Sequence, residues 1–499
     1  MNGTTDRSPR AILIFWFPLA LQWIMMALEG PFLAAVIARL ADPTFNLAAY
    51  GVAFAFAILV ESPVIMLMSA STALVEDAKS YLKLRAFANH LNLLSTGLLI
   101  LLLIPQVFSL VLRSGLGLPS EVADLVYGSL WILLPWPAAI GYRRFIHGVL
   151  IRAGVTRRVA YGTAIRLSTM AATGFFLAVL TDLPGAWVGA AALSAGVVIE
   201  AVAAWAMSRD VVRDLLSTES EVSLAGGSSA SDASDPVASD PVPGGGGRVE
   251  AESGGERTLS EAGAGAGGVR ALGEAEKALA QEEPEYPTSG ELDYPTILQF
   301  YYPLALTSLI GLTTQPILTF FMGRAPAPVE SLAVFPVVMA LYFLFGTFGL
   351  SFQEAAIALV GRRGEHRREL GRFAAGLALV ASGLLSLIAF TPMARVWFEG
   401  ISGLEPELAA LAFVPAQIIA AGPALGVVLG FQRALLVQAR RTRPITVATG
   451  LEVFTIALLF PLFAWGMGWM GVTSAMVALI CGRILGVTFL WWTVGRVTG

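Results

Sequence analysis

Glu29 and Glu61 are carboxylates set inside long apolar runs, and no basic residue lies within the first three of those runs. An ionisable side chain in such surroundings is costly and is kept for a partner or a task. Gln22 and Glu29 stand seven residues apart and share one helix face. Read on antiparallel helices, Glu29 and Glu61 differ in depth by only ~6 Å at 1.5 Å rise per residue. Protonation removes the burial penalty of a carboxylate, which lets such a group couple an ion to another movement. A proton or sodium site is one reading of this pair. A neutral glutamic acid hydrogen-bonded to backbone, with no coupling role, is the other.

Further along, Gln353 and Glu354 sit about one and a half turns from a helix end, within reach of a basic loop at Arg362 and Arg363. Arg143, Arg144 and Arg433 lie near helix ends, where they either snorkel to lipid phosphates or form a basic vestibule for an anion. Arg166, Glu200, Glu452 and Arg483 lie deeper. Counted along consecutive antiparallel helices, each acid is level with one base to ~3 Å, which predicts ion pairs Arg166–Glu200 and Glu452–Arg483. One cysteine and three scattered histidines exclude a disulfide framework and an obvious metal cluster. No nucleophile–base pair, HExxH or phosphate-binding loop is present, so neither an enzyme nor a bound cofactor is expected.

The elements that must position these groups are membrane helices. Hydrophobic residues make up 56% of the 499-residue chain and charged residues 14%, and the mean hydropathy is +0.71. Apolar runs long enough to cross ~30 Å of hydrocarbon recur throughout, without the alternation of a membrane β-strand. The reading is an all-α integral membrane protein with spans at 11–38, 47–75, 86–112, 121–148, 159–180 and 187–208. A second set lies at 295–323, 331–360, 373–395, 405–436, 445–466 and 470–492. The first run is too long for a signal peptide. Residues 217–293 are rich in Gly, Ser, Ala and Glu and read as a disordered linker, with a short surface helix possible in composition at Val269 to Glu283. Three domains follow: a six-helix lobe at 1–216, the linker at 217–293, and a second lobe at 294–499.

The two sets are repeats. A shift of 285 residues lays Phe15 to Leu21 on Phe300 to Leu306, Pro31 on Pro316 and Arg39 on Arg324. After a one-residue slip, Pro137 meets Pro423, and Thr156 and Arg157 meet Thr442 and Arg443. On this register Thr307 and Thr314 take the places of Gln22 and Glu29 and suggest a polar wall on each lobe. Pro18, Pro31, Pro303 and Pro316 recur at equivalent sites and suit either hinges or static kinks. Short-loop basic residues concentrate on the side of both termini, which predicts cytoplasmic termini and parallel lobes related by an axis along the membrane normal.

Gly148 to Arg157 resembles the cytoplasmic segment between the fourth and fifth helices of MATE exporters, and its repeat runs from Ala434 to Arg443. Phe300 to Leu306, Gln315-Pro316-Ile317, Gly323-Arg324 and Gln353-Glu354 look most like the progressive ankylosis protein branch of the same MOP superfamily. Leu47 to Gly51 and Gly141 to Arg158 are similar to that branch as well. The resemblance implies a V-shaped pair of six-helix lobes and secondary active export of organic cations, drugs, lipid-linked sugars or organic anions. The expected function is a proton- or sodium-coupled exporter of a small organic solute, a monomer in the plasma membrane, in contact with lipid and with no nucleic acid. A flippase for a lipid-linked precursor and a non-transporting scaffold or receptor are the alternatives.

Overall fold

The structure is a computed structural model that describes residues 9–228, 292–360, 366–439, 441 and 443–498. Eleven of its helices are long and apolar enough to cross a membrane, and Ser120–Ile132 with Trp136–Arg152, bent by 41°, makes a twelfth span. No strand occurs among the described residues. Twelve spans place the two described ends on one face, the terminal face, opposite the distal face.

Span 1 is Pro9–Ala27 followed by Glu29–Ile37, and span 7 is Tyr294–Leu312 followed by Thr314–Met322. They break at Leu28 and Thr313, which are 285 residues apart. The cause is local. Pro31 and Pro316 have no N–H, so the carbonyls four residues back, of Ala27 and Leu312, lose their helical partner at the residue where each helix ends. Pro303 instead lies inside an unbroken helix, and the helix also runs unbroken through position 18, whose side chain lies outside the described residues. Of the four proposed hinges, only Pro31 and Pro316 adjoin a break.

The repeat persists in the backbone. Asp42 and Ala327 both have positive φ, 49° and 51°, directly before the prolines that open span 2 (Pro43–Glu61, then Leu67–Leu74) and span 8 (Pro328–Leu359). Spans 3 (Ala78–Leu103) and 9 (Arg367–Ala389) both run on into π-helical turns, Ser109–Gly115 and Val396–Ile401. Span 4 breaks after Ile132, and span 10 turns to a 3₁₀ helix after Ile418 before Gly422–Gln438. Spans 5 (Thr156–Leu180), 6 (Gly185–Ser228), 11 (Arg443–Pro461) and 12 (Gly471–Thr498) complete the lobes. Span 2 departs from the repeat: it unwinds over 62–66, whereas span 8 is continuous.

The lobes are interlocked by the first halves of spans 1 and 7. Ile12, Trp16 and Ala20 of span 1 are buried in the core of the second lobe with Phe352, Ala355 and Leu377. The Trp16 Nε1–H donates to Ser351 Oγ at 2.9 Å, and its ring meets Phe373 edge-on at 5.9 Å. At the repeat-equivalent position, Tyr301 Oη donates to the Pro63 carbonyl, and its ring meets Phe87 edge-on at 5.2 Å. Each first helix thus begins with a side chain seated in the other lobe, and past its break it lies between the lobes: Glu29–Ile37 touches spans 8, 5 and 2, and Thr314–Met322 touches spans 11, 2 and 12.

The compact body takes in Met1–Leu216 and Asp293–Gly499, and Ser217–Leu292 is a second unit. Span 6 stays helical to Ser228, into the stretch expected to be linker. The rest of that stretch, 229–291, lies outside the described residues, as does the surface helix expected at Val269 to Glu283.

Candidate functional site

Span 1's second half opens on Glu29, where the helix N-terminus favours a negative charge. The carboxylate does not stand alone, as its apolar surroundings in spans 1 to 3 suggest. Arg166, from span 5, donates to Glu29 Oε1. The acid expected to be unpaired is therefore one end of a chain of charges. Arg166 Nε lies 3.6 Å from Glu200 Oε2 on span 6, and Arg143 Nη1 on span 4 lies 2.9 Å from the same oxygen. Glu200 is fully buried, and Arg143 and Arg166 are each 6% exposed. Arg143, read in sequence as snorkelling to lipid or lining a basic vestibule, is instead held within the first lobe. His147 adjoins this chain, for a Cβ at Gly162 would meet both His147 Nε2 (3.4 Å) and Glu200 Oε1 (3.5 Å).

The second lobe carries a shorter version. Arg483 Nη2 lies 2.9 Å from Glu452 Oε1. Arg433 is near both and donates to Thr449 Oγ1 at 3.2 Å, with no ion pair among the described residues. Thr307 lies 3.2 Å from Thr446 Oγ1, and Thr314 begins the second half of span 7 as Glu29 begins that of span 1. The side chain of Gln22 lies outside the described residues. Glu354 accepts a hydrogen bond from Trp23 of span 1, across the lobes, and Gln353 packs beside Gly430. The rival partners for Glu354, Arg362 and Arg363, lie outside the described residues.

Glu61 is different. It is 6% exposed, closes the first half of span 2, and makes no ion pair or hydrogen bond among the described residues. Its Oε2 is buried without a partner among the described residues, as are Ser62 Oγ beside it in sequence and, on span 3, Asn92 Oδ1, Ser95 Oγ and Thr96 Oγ1. Pro63 is why the helix stops here, and the turn that follows leaves the Pro63 carbonyl to Tyr301. A Cβ at Gly141 would overlap Asn92 Oδ1 and lie 3.1 Å from Val64, so spans 2, 3 and 4 meet at this break. Arg144, Arg143 and Arg166 are the charges that reach Glu61. Arg144 is itself without an ion pair among the described residues. Sequence reasoning passed over Ser62, Asn92, Ser95 and Thr96, although the 92, 95, 96 spacing puts the last three on one helical face.

Outside the spans, Asp77 caps span 3. Ser80, first through its backbone N–H at 2.8 Å and then through its hydroxyl, holds the Asp77 carboxyl below its usual range. Asp293 caps span 7 in the same way through Thr296.

No family model matches the chain, and no curated protein matches it. Solved structures do. An inward-facing multidrug-resistance MATE transporter of the MOP superfamily aligns with TM-score 0.66 and 12% identity over 97% of this chain and 98% of the other. The chain has the MATE fold. The same architecture aligns with the lipid II flippase MurJ in an inward closed conformation, with TM-score 0.65 and 12% identity over 96% of this chain and 87% of that one. A MOP-superfamily transporter from Pyrococcus furiosus Vc1, described as having a binding pocket of reverse polarity, aligns with TM-score 0.59 and 14% identity over 98% and 96% of the two chains.

Proposed function

We propose that the chain is a secondary active transporter that exports a small organic solute by alternating access, coupled to a proton or sodium gradient. The observation that carries this reading is the reciprocal strap: spans 1 and 7 break at repeat-equivalent residues, and each begins against the opposite lobe. Rocking one lobe on the other bends both breaks together, as two related lobes around one site require. The basic short loops of the terminal face support cytoplasmic termini and a plasma-membrane setting, with the chain acting as a monomer.

The coupling site of this reading is Glu61. A buried carboxylate that makes no ion pair takes up a proton or a cation in this reading, and the neighbouring Ser62 Oγ, like Asn92 Oδ1 on span 3, is buried without a partner among the described residues. Glu29 serves the charged chain instead, so its loss is first a loss of stability.

The solute of this reading is an anion. The spans carry five guanidiniums, Arg143, Arg144, Arg166, Arg433 and Arg483, and five carboxylates, Glu29, Glu61, Glu200, Glu354 and Glu452, so the sign of the solute rests on which arginines are left over. Arg144 in one lobe and Arg433 in the other have no ion pair among the described residues. A half-buried guanidinium in each lobe that lies near an acid, Glu61 or Glu452, without an ion pair to it suits an anionic partner. The likeness of Phe300 to Leu306 and Gln353-Glu354 to the progressive ankylosis branch points the same way. Arg144 and Arg433 also support the second reading, a flippase for a lipid-linked phosphate, but the other three arginines already hold carboxylates.

The test is uptake of organic anions into proteoliposomes under imposed pH and sodium gradients. Glu61→Gln is expected to keep solute exchange and lose the response to one of the two gradients. A full gradient response in that variant would remove Glu61 from the mechanism.

A further inference from the structure

The distal ends of spans 1 and 7 carry Arg39 and Arg324, 285 residues apart. Each reaches across to the opposite lobe. Arg39 Nη2 donates to the carbonyls of Gly400 (2.6 Å) and Ile401 (3.0 Å), while its Nη1 donates to Ala35 of its own helix at 2.7 Å. Arg324 Nη2 donates to the Ser114 carbonyl at 2.9 Å, and its guanidinium lies 4.3 Å over the Phe320 ring. The acceptors lie at the ends of the π-helical turns Ser109–Gly115 and Val396–Ile401, which close spans 3 and 9. Carbonyls at a helix C-terminus lack helical partners and favour a cation.

From this geometry we propose that Arg39 and Arg324 are gate residues, two repeat-related clasps that hold the distal face shut and must release for a site between the lobes to open there. The inference rests on the alternating-access reading above. Three features set the arginines apart from residues that merely snorkel to lipid. Both donate to the other lobe's backbone, whereas a snorkelling side chain meets water or phosphate. Both lie where the lobes' backbones touch. A Cβ at Gly323 would fall 2.5 Å from the Leu116 carbonyl, and one at Gly403, whose φ of +73° already demands glycine, 2.7 Å from Arg39 Nη1. The acceptors are neutral. A guanidinium that leaves a carbonyl for water strands no buried charge, so the contact can open and close, unlike the Arg143–Glu200 pair. At position 39 arginine suits the role better than lysine, because one nitrogen of its fork meets two carbonyls of the other lobe while the second stays on Ala35 of its own helix.

The test reads accessibility alone. In a Cys481→Ser background, Ala340→Cys places a single thiol across from Gly30, whose Cβ would lie 3.2 Å from that of Ala340, between the breaks and the clasps. A membrane-impermeant maleimide is applied to the distal face. The parent is expected to label slowly, and Arg39→Gln with Arg324→Gln about tenfold faster, each single variant falling between. Arg39→Lys with Arg324→Lys keeps the charges and loses the fork, and an intermediate rate is expected. If the glutamine pair does not fold, the lysine pair decides the matter. Labelling unchanged in folded variants would overturn the proposal. Faster labelling in a protein that moves no solute would leave the clasps standing and sink the transporter reading instead.

Discussion

Glu200→Gln isolates what the buried charges of the first lobe contribute to folding. Glu200 is fully buried and lies 2.9 Å from Arg143 and 3.6 Å from Arg166. Neutralising it leaves Arg166 with Glu29 but leaves Arg143, 6% exposed, with no carboxylate at hand. Breaking one partner from a buried pair costs ~3–5 kcal/mol, most of it the stranded charge. The second lobe supplies an internal comparison. Arg483 is 26% exposed at its side chain, against 7% for Arg143, so it has more room to turn to another partner when Glu452→Gln removes the first, and a smaller loss is expected there. The double variant Arg143→Met with Glu200→Leu removes both charges and is expected to recover more than half the loss. Thermal unfolding of the purified protein in one detergent, with all variants in parallel, reads these differences. The reasoning fails if Glu200→Gln melts with the parent, or if the double variant melts no higher than Glu200→Gln.

Three further outcomes follow from local geometry. Gly349→Ala places a Cβ 2.7–2.8 Å from the backbone of Gly426 where spans 8 and 10 cross, and backbone cannot swing aside; a loss of ~1–3 kcal/mol in thermal or denaturant unfolding is expected. Asp77→Ala removes the cap of span 3 and is expected to cost ~1 kcal/mol at neutral pH. Because the folded Asp77 carboxyl lies below its usual value near 3.8, its contribution is full above that value and fades as the pH falls through the lowered one, so the variant and parent converge in acid. Replacing 229–291 with a flexible chain of equal length is expected to leave transport nearly intact in the liposome assay, and lost transport at normal expression would assign that segment a regulatory task.

Much of the fold was written in the order of apolar residues. Twelve spans and the 285-residue repeat could be read from Pro31 and Pro316, Arg39 and Arg324, because the backbone breaks and turns depend on prolines and glycines that the sequence displays. Partners were harder to read. Counting depth along adjacent helices puts Arg166 level with Glu200, but Glu29 approaches from a helix far away in sequence, and nothing in spans 1 to 3 announces it. The same blindness to packing put Arg143 at a vestibule when it binds Glu200. The unwinding at Glu61 is signalled by Pro63, which has no counterpart in span 8, where Phe348 stands at the equivalent position and the helix is continuous. The clasps needed the structure outright, since their acceptors are backbone carbonyls that carry no sequence signature.

The central claim is that the two lobes expose a shared site to each face in turn, and interlobe distances test it without knowledge of the solute. Spin labels at Asp182 and Met467 report the distal face, and labels at Arg157 and Arg443 report the terminal face, in a Cys481→Ser background. Pulsed electron–electron distance measurements across a pH and sodium series are expected to show two populations, short distal with long terminal and the reverse, exchanging in weight as the conditions change. A single distance on both faces under every condition, or faces that open and close together, would contradict the account.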